Sequence, residues 1–283
     1  MRVKPQTLQV YMARFLQNMP VYFLYCLRES GHVPIILCRL MGGEMSALAL
    51  HGLRRWVKTG KSPLARMICH AWHGMRGFEV PVIPIMHPLL YTIHVCMRSA
   101  TANFLRVFYW TPLFKGRLSA PAPRLYLFGG MPCILGPVKI RLGSRCRVAG
   151  MMTISGRSAS KKAPELIVGH NCDIGWQSTI AVGSRVVLGN NVRIAGRAFL
   201  AGYPGHPLEA EARAKGLPDT DEQVGDIVLE DDVWLATNVS VMAGVRVGRG
   251  TVVAAGSVVT HDLPPGVLAA GSPARIIRRI EAA

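Results

Sequence analysis

Acidic residues are scarce in this 283-residue sequence: 16 Asp and Glu stand against 33 Lys and Arg, for a formal net charge of +17. The deficit is concentrated at the start. Residues 1–120 hold three acids, Glu29, Glu44 and Glu79, against 15 basic residues, a net of +12. A segment both basic and apolar suits an anionic membrane face or a polyanionic partner, and equally a helical domain packed on the rest of the chain. Paired cysteines are also lacking. Cys26, Cys38, Cys69, Cys96, Cys133, Cys146 and Cys172 are odd in number and irregularly spaced, with no Cys-x-x-Cys. That argues against a disulfide framework and against a structural zinc site. Free cysteines used as small apolar residues fit a reducing cytosol. The opening MRVKPQTLQVYMARF has no basic, apolar, cleavage-site order of a signal peptide. The expected location is the cytoplasm, at the inner face of the cell membrane if the basic segment meets lipid. No nucleic-acid partner is expected.

Two regions of different grammar meet in the Pro- and Gly-rich stretch 111–132, which reads as turn or linker. Before it, apolar residues recur in helix-like clusters, such as Val10 to Leu27 and Met45 to Trp56. In the second, Met45, Ala49, Leu53 and Trp56 are spaced for one helical face. The longest run free of Asp, Glu, Lys and Arg is Val80 to Met97. Its 18 residues are long enough for a membrane span, but Pro81, Pro84, Pro88, His87 and His94 favour an interfacial or core segment.

After the junction the chain repeats every six residues. From Leu229 the first positions are Leu229, Leu235, Val241, Val247, Val253 and Val259, and the fifth are Val233, Val239, Val245, Thr251 and Ser257. Earlier blocks give Leu142, Val148 and Ile154, then Val168, Ile174 and Ile180. A two-residue slip follows, leading to Val182, Leu188, Ile194 and Leu200. A helix repeats at 3.6 and an ordinary strand at two. A period of six means short strands joined by tight corners, three of which close one triangular coil of a solenoid. First positions point inward. Corners take residues that tolerate positive φ or leave no room for a side chain, a use that fits Gly183, Gly189, Gly248, Asn190, Asn191 and Asn238. The expected fold is mainly β: a solenoid with an α-helical N-terminal region. The expected domains are a basic helical region over 1–120, a solenoid over 121–260 and a short cap over 261–283.

The rhythm stops after Leu200 and resumes at Ile227. Between them, residues 201–226 form a loop long enough to be functional, and it carries Tyr203, Pro204 and the triplet Gly205-His206-Pro207. After it come Asp231-Asp232-Val233-Trp234-Leu235-Ala236, Ala254-Ala255-Gly256-Ser257-Val258-Val259-Thr260, Asp262-Leu263-Pro264-Pro265-Gly266 and Gly271-Ser272-Pro273-Ala274-Arg275. Together these resemble the galactoside, maltose and polysaccharide O-acetyltransferases of the hexapeptide-repeat class. The resemblance covers about residues 131–280, and residues 1–120 lie outside it.

The resemblance implies a left-handed parallel β-helix, a homotrimer whose active site forms between neighbours, and acetyl transfer from acetyl-CoA to a hydroxyl of a carbohydrate acceptor. Such transfer needs a base for the hydroxyl proton, donors for the oxyanion and an aligned pantetheine arm. Imidazole titrates near neutral pH and suits the first task, and His206 stands at the matching position. Glu209, Glu211 or a backbone carbonyl could orient it. Trp234 matches the tryptophan that walls the cleft. Acetyl-CoA contacts are implied around Thr237, Ala255 and Thr260, and from Arg275 and Arg278, whose guanidinium groups suit phosphates. No metal is expected. Two departures stand out: His261 replaces a usual lysine, and Gly175 and Gly183 occupy places where those enzymes carry polar acceptor-binding residues. The acceptor is therefore expected to be a cell-envelope glycan or lipid-linked sugar rather than a simple galactoside, and residues 1–110 are expected to offer peripheral membrane contact. Three alternatives remain at this point. One is N-acyl transfer by the same base, and one is a non-catalytic solenoid scaffold. The third is a γ-class carbonic anhydrase, disfavoured because Ala210 and Glu211 stand where a second zinc histidine would be needed.

Overall fold

The computed structural model describes residues 47–280. The helix-like stretch Val10 to Leu27, together with Met45, Cys26 and Cys38, lies outside them. The chain divides into two compact units between Ile83 and Pro84. In the first, helix α1 (Ala47–Thr59) ends at Gly60, and helix α2 (Pro63–Arg76) follows after a two-residue step. The start of α2 is fixed locally: Pro63 opens it, and the Ser62 hydroxyl accepts the Ala65 N–H at 3.2 Å.

The second unit opens with a long helix, α3 (Met86–Leu105), which passes through a π-turn at Arg106–Trp110 into α4 (Thr111–Arg117). This corrects one expectation, for the junction, and gives the cause of another, that Val80 to Met97 does not span. The start of the 111–132 junction is helical rather than linker. The run Val80 to Met97 is not one span, because it is broken by Pro81, Pro84 and a turn at Ile85, where φ is +72° and the Met86 N–H donates to the Pro84 carbonyl at 2.8 Å. Among the described residues no helix is long and apolar enough to cross a membrane.

From Tyr126 onward the strands form a parallel β-helix. Among the described residues there are three sheets, of eight, six and five strands, one per face of a triangular prism. The strands are short because each must turn a corner after two to four residues. Inward residues stack in register from coil to coil. On the first face the ladder is Leu127, Val148, Ile174, Ile194, Leu235, Val253 and Ala269. On the second it is Ile134, Ile154, Ile180, Leu200, Val241 and Val259. On the third it is Leu142, Val168, Leu188, Leu229 and Val247. The first positions of the six-residue period are these ladders. Each fully buried aliphatic side chain contributes about 1.5–3 kcal/mol.

The two-residue slip falls at the corner between the second and third faces, where strand Thr179–Val182 and the turn Gly183-Ser184 lengthen the path to strand Arg185–Leu188. On the third face Ile140, Leu166, Val186 and Ile227 form a second inward ladder beside the first. The fifth positions line the corners. Cys146, Cys172, Val192, Val233 and Thr251 occupy equivalent buried places at one corner, so two of the cysteines serve as small core residues. At that same corner Arg145, Asn171, Asn191, Asp232 and Gly250 all have φ between +56° and +66°. Side chains there bind the next coil: Asn171 donates to Asn191 Oδ1 and Asn191 to Asp232 Oδ1, both at 2.9 Å, while Asp231 accepts the Asn190 N–H at 2.7 Å. That last bond, aided by Arg249, holds the Asp231 carboxyl below the usual range.

Both ends of the stack are covered. At the start, Phe114 of α4 is 1% exposed and joins the core, Arg117 donates to the Val138 carbonyl, and the Arg106 guanidinium lies 4.6 Å from the Tyr126 ring centre. At the finish, strand Val267–Gly271 reverses into the antiparallel strand Ala274–Arg279.

Candidate active site

The three corners of the prism differ in how much chain they carry. The corner between the first and second faces has only short turns, and the corner between the third and first faces is held by the Asn and Asp side chains above. The corner between the second and third faces carries two excursions, residues 157–164 and residues 202–226. The second holds His206.

The loop is built on a close approach. Gly202 donates its N–H to the Ala181 carbonyl, and Gly225 donates to the Gly202 carbonyl at 3.1 Å, so the two ends of the excursion are stitched together on the coil below. A Cβ on Gly183 would sit 2.3 Å from Gly202 O and 2.5 Å from the Val224 side chain. Gly183 is therefore glycine because the loop rests on it. Gly175 is similar, since a Cβ there would meet the Gly196 nitrogen at 2.6 Å. Both departures from the sugar acetyltransferases follow from backbone packing in this chain.

Inside the excursion, helix α5 (Ala210–Ala214) and a turn of 3₁₀ helix (Asp221–Gln223) flank a buried ion pair. Arg157, at the root of the shorter excursion, donates Nε to Asp219 Oδ1 at 2.6 Å, Nη2 to the Asp219 carbonyl at 2.7 Å and Nη1 to Asp221 Oδ1 at 2.6 Å. The Arg157 and Asp219 side chains are 6% and 3% exposed. Asp219 holds the guanidinium above its usual range, and Arg157 holds the Asp221 carboxyl below its own. The other Asp219 oxygen accepts the Gly205 N–H at 3.1 Å. Gly205 has φ of +80°, a left-handed conformation that a side chain would strain. Gln223 Nε2 donates to the His206 carbonyl at 3.4 Å, and the Tyr203 hydroxyl donates to Ser155 Oγ at 3.1 Å. The backbone on both sides of His206 is thus fixed, while its ring is exposed to solvent.

Neither acid proposed to orient the ring does so here. Glu209 precedes α5, and Glu211 pairs with Lys215 at 3.6 Å. Arg157 and Asp219, which carry the loop, were not among the residues singled out from sequence. The signal available was an unpaired-looking arginine in one break of the repeat and the acids Asp219, Asp221 and Asp226 in the other.

The remaining candidates sort onto other parts of the prism. Thr237 and Ala255 stack at the corner between the first and second faces, both exposed, with the Gly256 N–H donating to the Thr237 carbonyl at 3.0 Å. Trp234 is half exposed on the first face beside that corner, in register with Arg193 and Val252. Arg275 and Arg278 are exposed on the terminal antiparallel strand. Thr260 returns to the His206 corner, two coils on, where its hydroxyl and His261 Nδ1 are 2.8 Å apart. Within one chain, then, His206 and the Trp234, Thr237 and Ala255 group stand at different corners, separated by a face about 15 Å wide. Among the described residues no group of three or more His, Cys, Asp or Glu is placed to hold a metal ion.

Residues 226–261 match the family model described as bacterial transferase hexapeptide, six repeats. The galactoside O-acetyltransferase of Escherichia coli is 37% identical over 113 residues, which is 40% of this chain and 53% of that protein. A Schizosaccharomyces pombe protein named as an acetyltransferase is 40% identical over 112 residues, 40% of this chain and 49% of that one. The chain spans about half the length of these curated relatives. Among solved structures, an N-acyltransferase from Bacillus cereus, in complex with a dTDP-linked amino sugar and coenzyme A, matches with a TM-score of 0.50 at 16% identity, covering 62% of this chain and 91% of that one. Together the ladders, the six-residue period and these likenesses give the fold as a left-handed hexapeptide-repeat β-helix, and over its repeat region the chain is similar to the hexapeptide-repeat acetyltransferases.

Proposed function

We propose that this protein transfers an acetyl group from acetyl-CoA to a hydroxyl of a cell-envelope glycan or lipid-linked sugar, with His206 as general base. The observation that carries this reading is the Gly205-His206-Pro207 loop, fixed in its backbone by a buried ion pair while its imidazole stays open to solvent. His206 takes the proton of the acceptor hydroxyl as its oxygen attacks the thioester carbonyl. The tetrahedral intermediate then collapses, the C–S bond breaks, and the CoA sulfur leaves with the proton from His206.

A single chain separates His206 from Trp234, Thr237 and Ala255, so the working site is shared between copies of a homotrimer. The loop of one copy reaches the corner between first and second faces of its neighbour. There Trp234 walls the cleft and Thr237 and Ala255 line the pantetheine path, while Thr260, at the His206 corner, meets it from the other side, and Arg275 and Arg278 meet the nucleotide phosphates. Co-expression of two inactive variants, His206→Ala and Ala255→Trp, tests this. A shared site restores about a quarter of wild-type CoA release, because random mixing leaves that share of interfaces intact on both sides. No recovery would mean that each chain carries its own complete site, and the shared-site reading would fall. An acceptor panel that includes amino sugars separates transfer to oxygen from transfer to nitrogen.

Residues 1–110 supply peripheral membrane contact in this reading. Its support is α2 and the segment after it, where Leu64, Met67, Trp72, Met75 and Phe78 are exposed alongside the basic Arg66 and Arg76. Co-sedimentation with anionic vesicles, weakening as salt rises, is the expected result. Equal recovery with neutral vesicles, or none with either, would remove the membrane from the account.

A further inference from the structure

Below the His206 loop, between the two excursions of the same corner, lies an open recess of about 940 Å3. That is within the range of small-ligand sites and ample for a disaccharide. Its floor is the outward edge of the third face, where Lys139, Glu165 and Arg185 stand in register on successive coils. Its walls are residues 160–163 on one side and Asp221, Val224 and Asp226 on the other.

The charge in this recess is unevenly satisfied. Each acid already has a cation. Asp221 is bound by Arg157 at 2.6 Å, Asp226 by Arg185 at 2.9 Å and by the Ser184 hydroxyl at 2.6 Å, and Glu165 by Arg141 at 3.7 Å. Lys161 reaches Asp221 at 3.9 Å, the outer limit of a pair. Lys139 and Lys162 are exposed and make no ion pair among the described residues. Concave walls focus the field of such a surplus on whatever enters.

We propose that this recess binds an oxyanion, a phosphate or carboxylate carried by the acceptor glycan, with Lys139 and Lys162 as its principal contacts and Lys161 beside them. The inference rests on the acyl-transfer reading for the word acceptor, but not for the binding. The recess shares its wall with the loop that presents His206: Asp221 holds the same Arg157 as Asp219, whose other oxygen fixes Gly205, and Gln223 donates to the His206 carbonyl. An anchored anion would hold the sugar chain beside the loop that presents the base.

The test is titration calorimetry of the full-length protein with inorganic pyrophosphate, with a glucuronic acid oligomer and with a neutral glucan of equal length. The double variants Lys139→Glu/Lys162→Glu and Lys139→Arg/Lys162→Arg are titrated in parallel, with thermal midpoints confirming that both fold. Binding of at least one anion is expected, weakening at least tenfold in the glutamate variant and preserved in the arginine variant. Pyrophosphate alone binding assigns a phosphate; the glucuronate oligomer binding assigns a carboxylate. Anion binding untouched by charge reversal, equal binding of the neutral glucan, or no binding of either anion would each overturn the proposal. None of these readouts requires CoA turnover, so failure of the acyl-transfer reading would show separately, as absent CoA binding.

Discussion

Replacing His206 by alanine is expected to lower acceptor-dependent release of free CoA by roughly 10²–10⁴, the usual worth of a positioned general base. That is about 2.7–5.5 kcal/mol of transition-state stabilisation. The fold should not notice. The ring is exposed, and the bonds recorded around it run through backbone atoms, the Gly205 N–H and the His206 carbonyl, which alanine retains. The thermal midpoint should therefore stay close to that of the parent, as for other surface substitutions. A variant that releases CoA at the parental rate would sink His206 as the base. One that loses activity together with its folding transition would show that the exposed ring has a structural partner in the assembled protein.

The second large effect is expected at Asp219. Changing it to alanine leaves the Arg157 guanidinium, 6% exposed, with its main carboxylate gone. Breaking a buried pair from one side costs on the order of 3–5 kcal/mol, most of it the penalty of the stranded charge. The loss should be local. The ladders of the three faces are held by their own strand pairing, so amides within 202–226 should exchange far faster while those of Leu188, Leu229 and Val247 keep their protection. A paired change, Arg157→Met with Asp219→Leu, should recover most of the stability, since removing both charges leaves nothing stranded. It should not recover activity, because the Gly205 N–H still loses its acceptor. Stability and turnover moving together across the two variants would mean that the pair only holds the loop closed and does not aim His206.

These two residues also mark the boundary of what the sequence discloses. The ladders were legible because one spacing of six serves every coil, so Leu229, Leu235 and Val241 announce themselves without reference to anything distant. His206 was legible because it lies between Gly205 and Pro207 in a break of that spacing. Arg157 and Asp219 are 62 positions apart, and the periodic count stops in both segments that hold them. Their meeting depends on how many residues each excursion inserts at one corner, which no local pattern encodes. The same holds for Gly183. Its sequence neighbours suggest a corner, but the reason for glycine is the backbone of Gly202 arriving from a different coil. In the Val80 to Met97 run length alone allowed a span, the prolines argued against one, and the conformation at Ile85 divides it.

A stack of identical coils has no internal reason to stop, and its last rung offers a row of unpaired peptide groups to any strand that arrives. In this protein each end of the stack carries a cover, and on the first face the last rung is already paired. Phe114 plugs one mouth from a helix, which has no edge to share. At the other, the chain doubles back, so the final strand runs against the direction of the rungs before it and carries Arg275, Arg278 and Arg279 along its length. An incoming copy would meet the wrong polarity and a line of like charge. On the first face the reversal therefore acts as a chain terminator in the polymer sense, ending the run of parallel rungs in a fold built like a fibre.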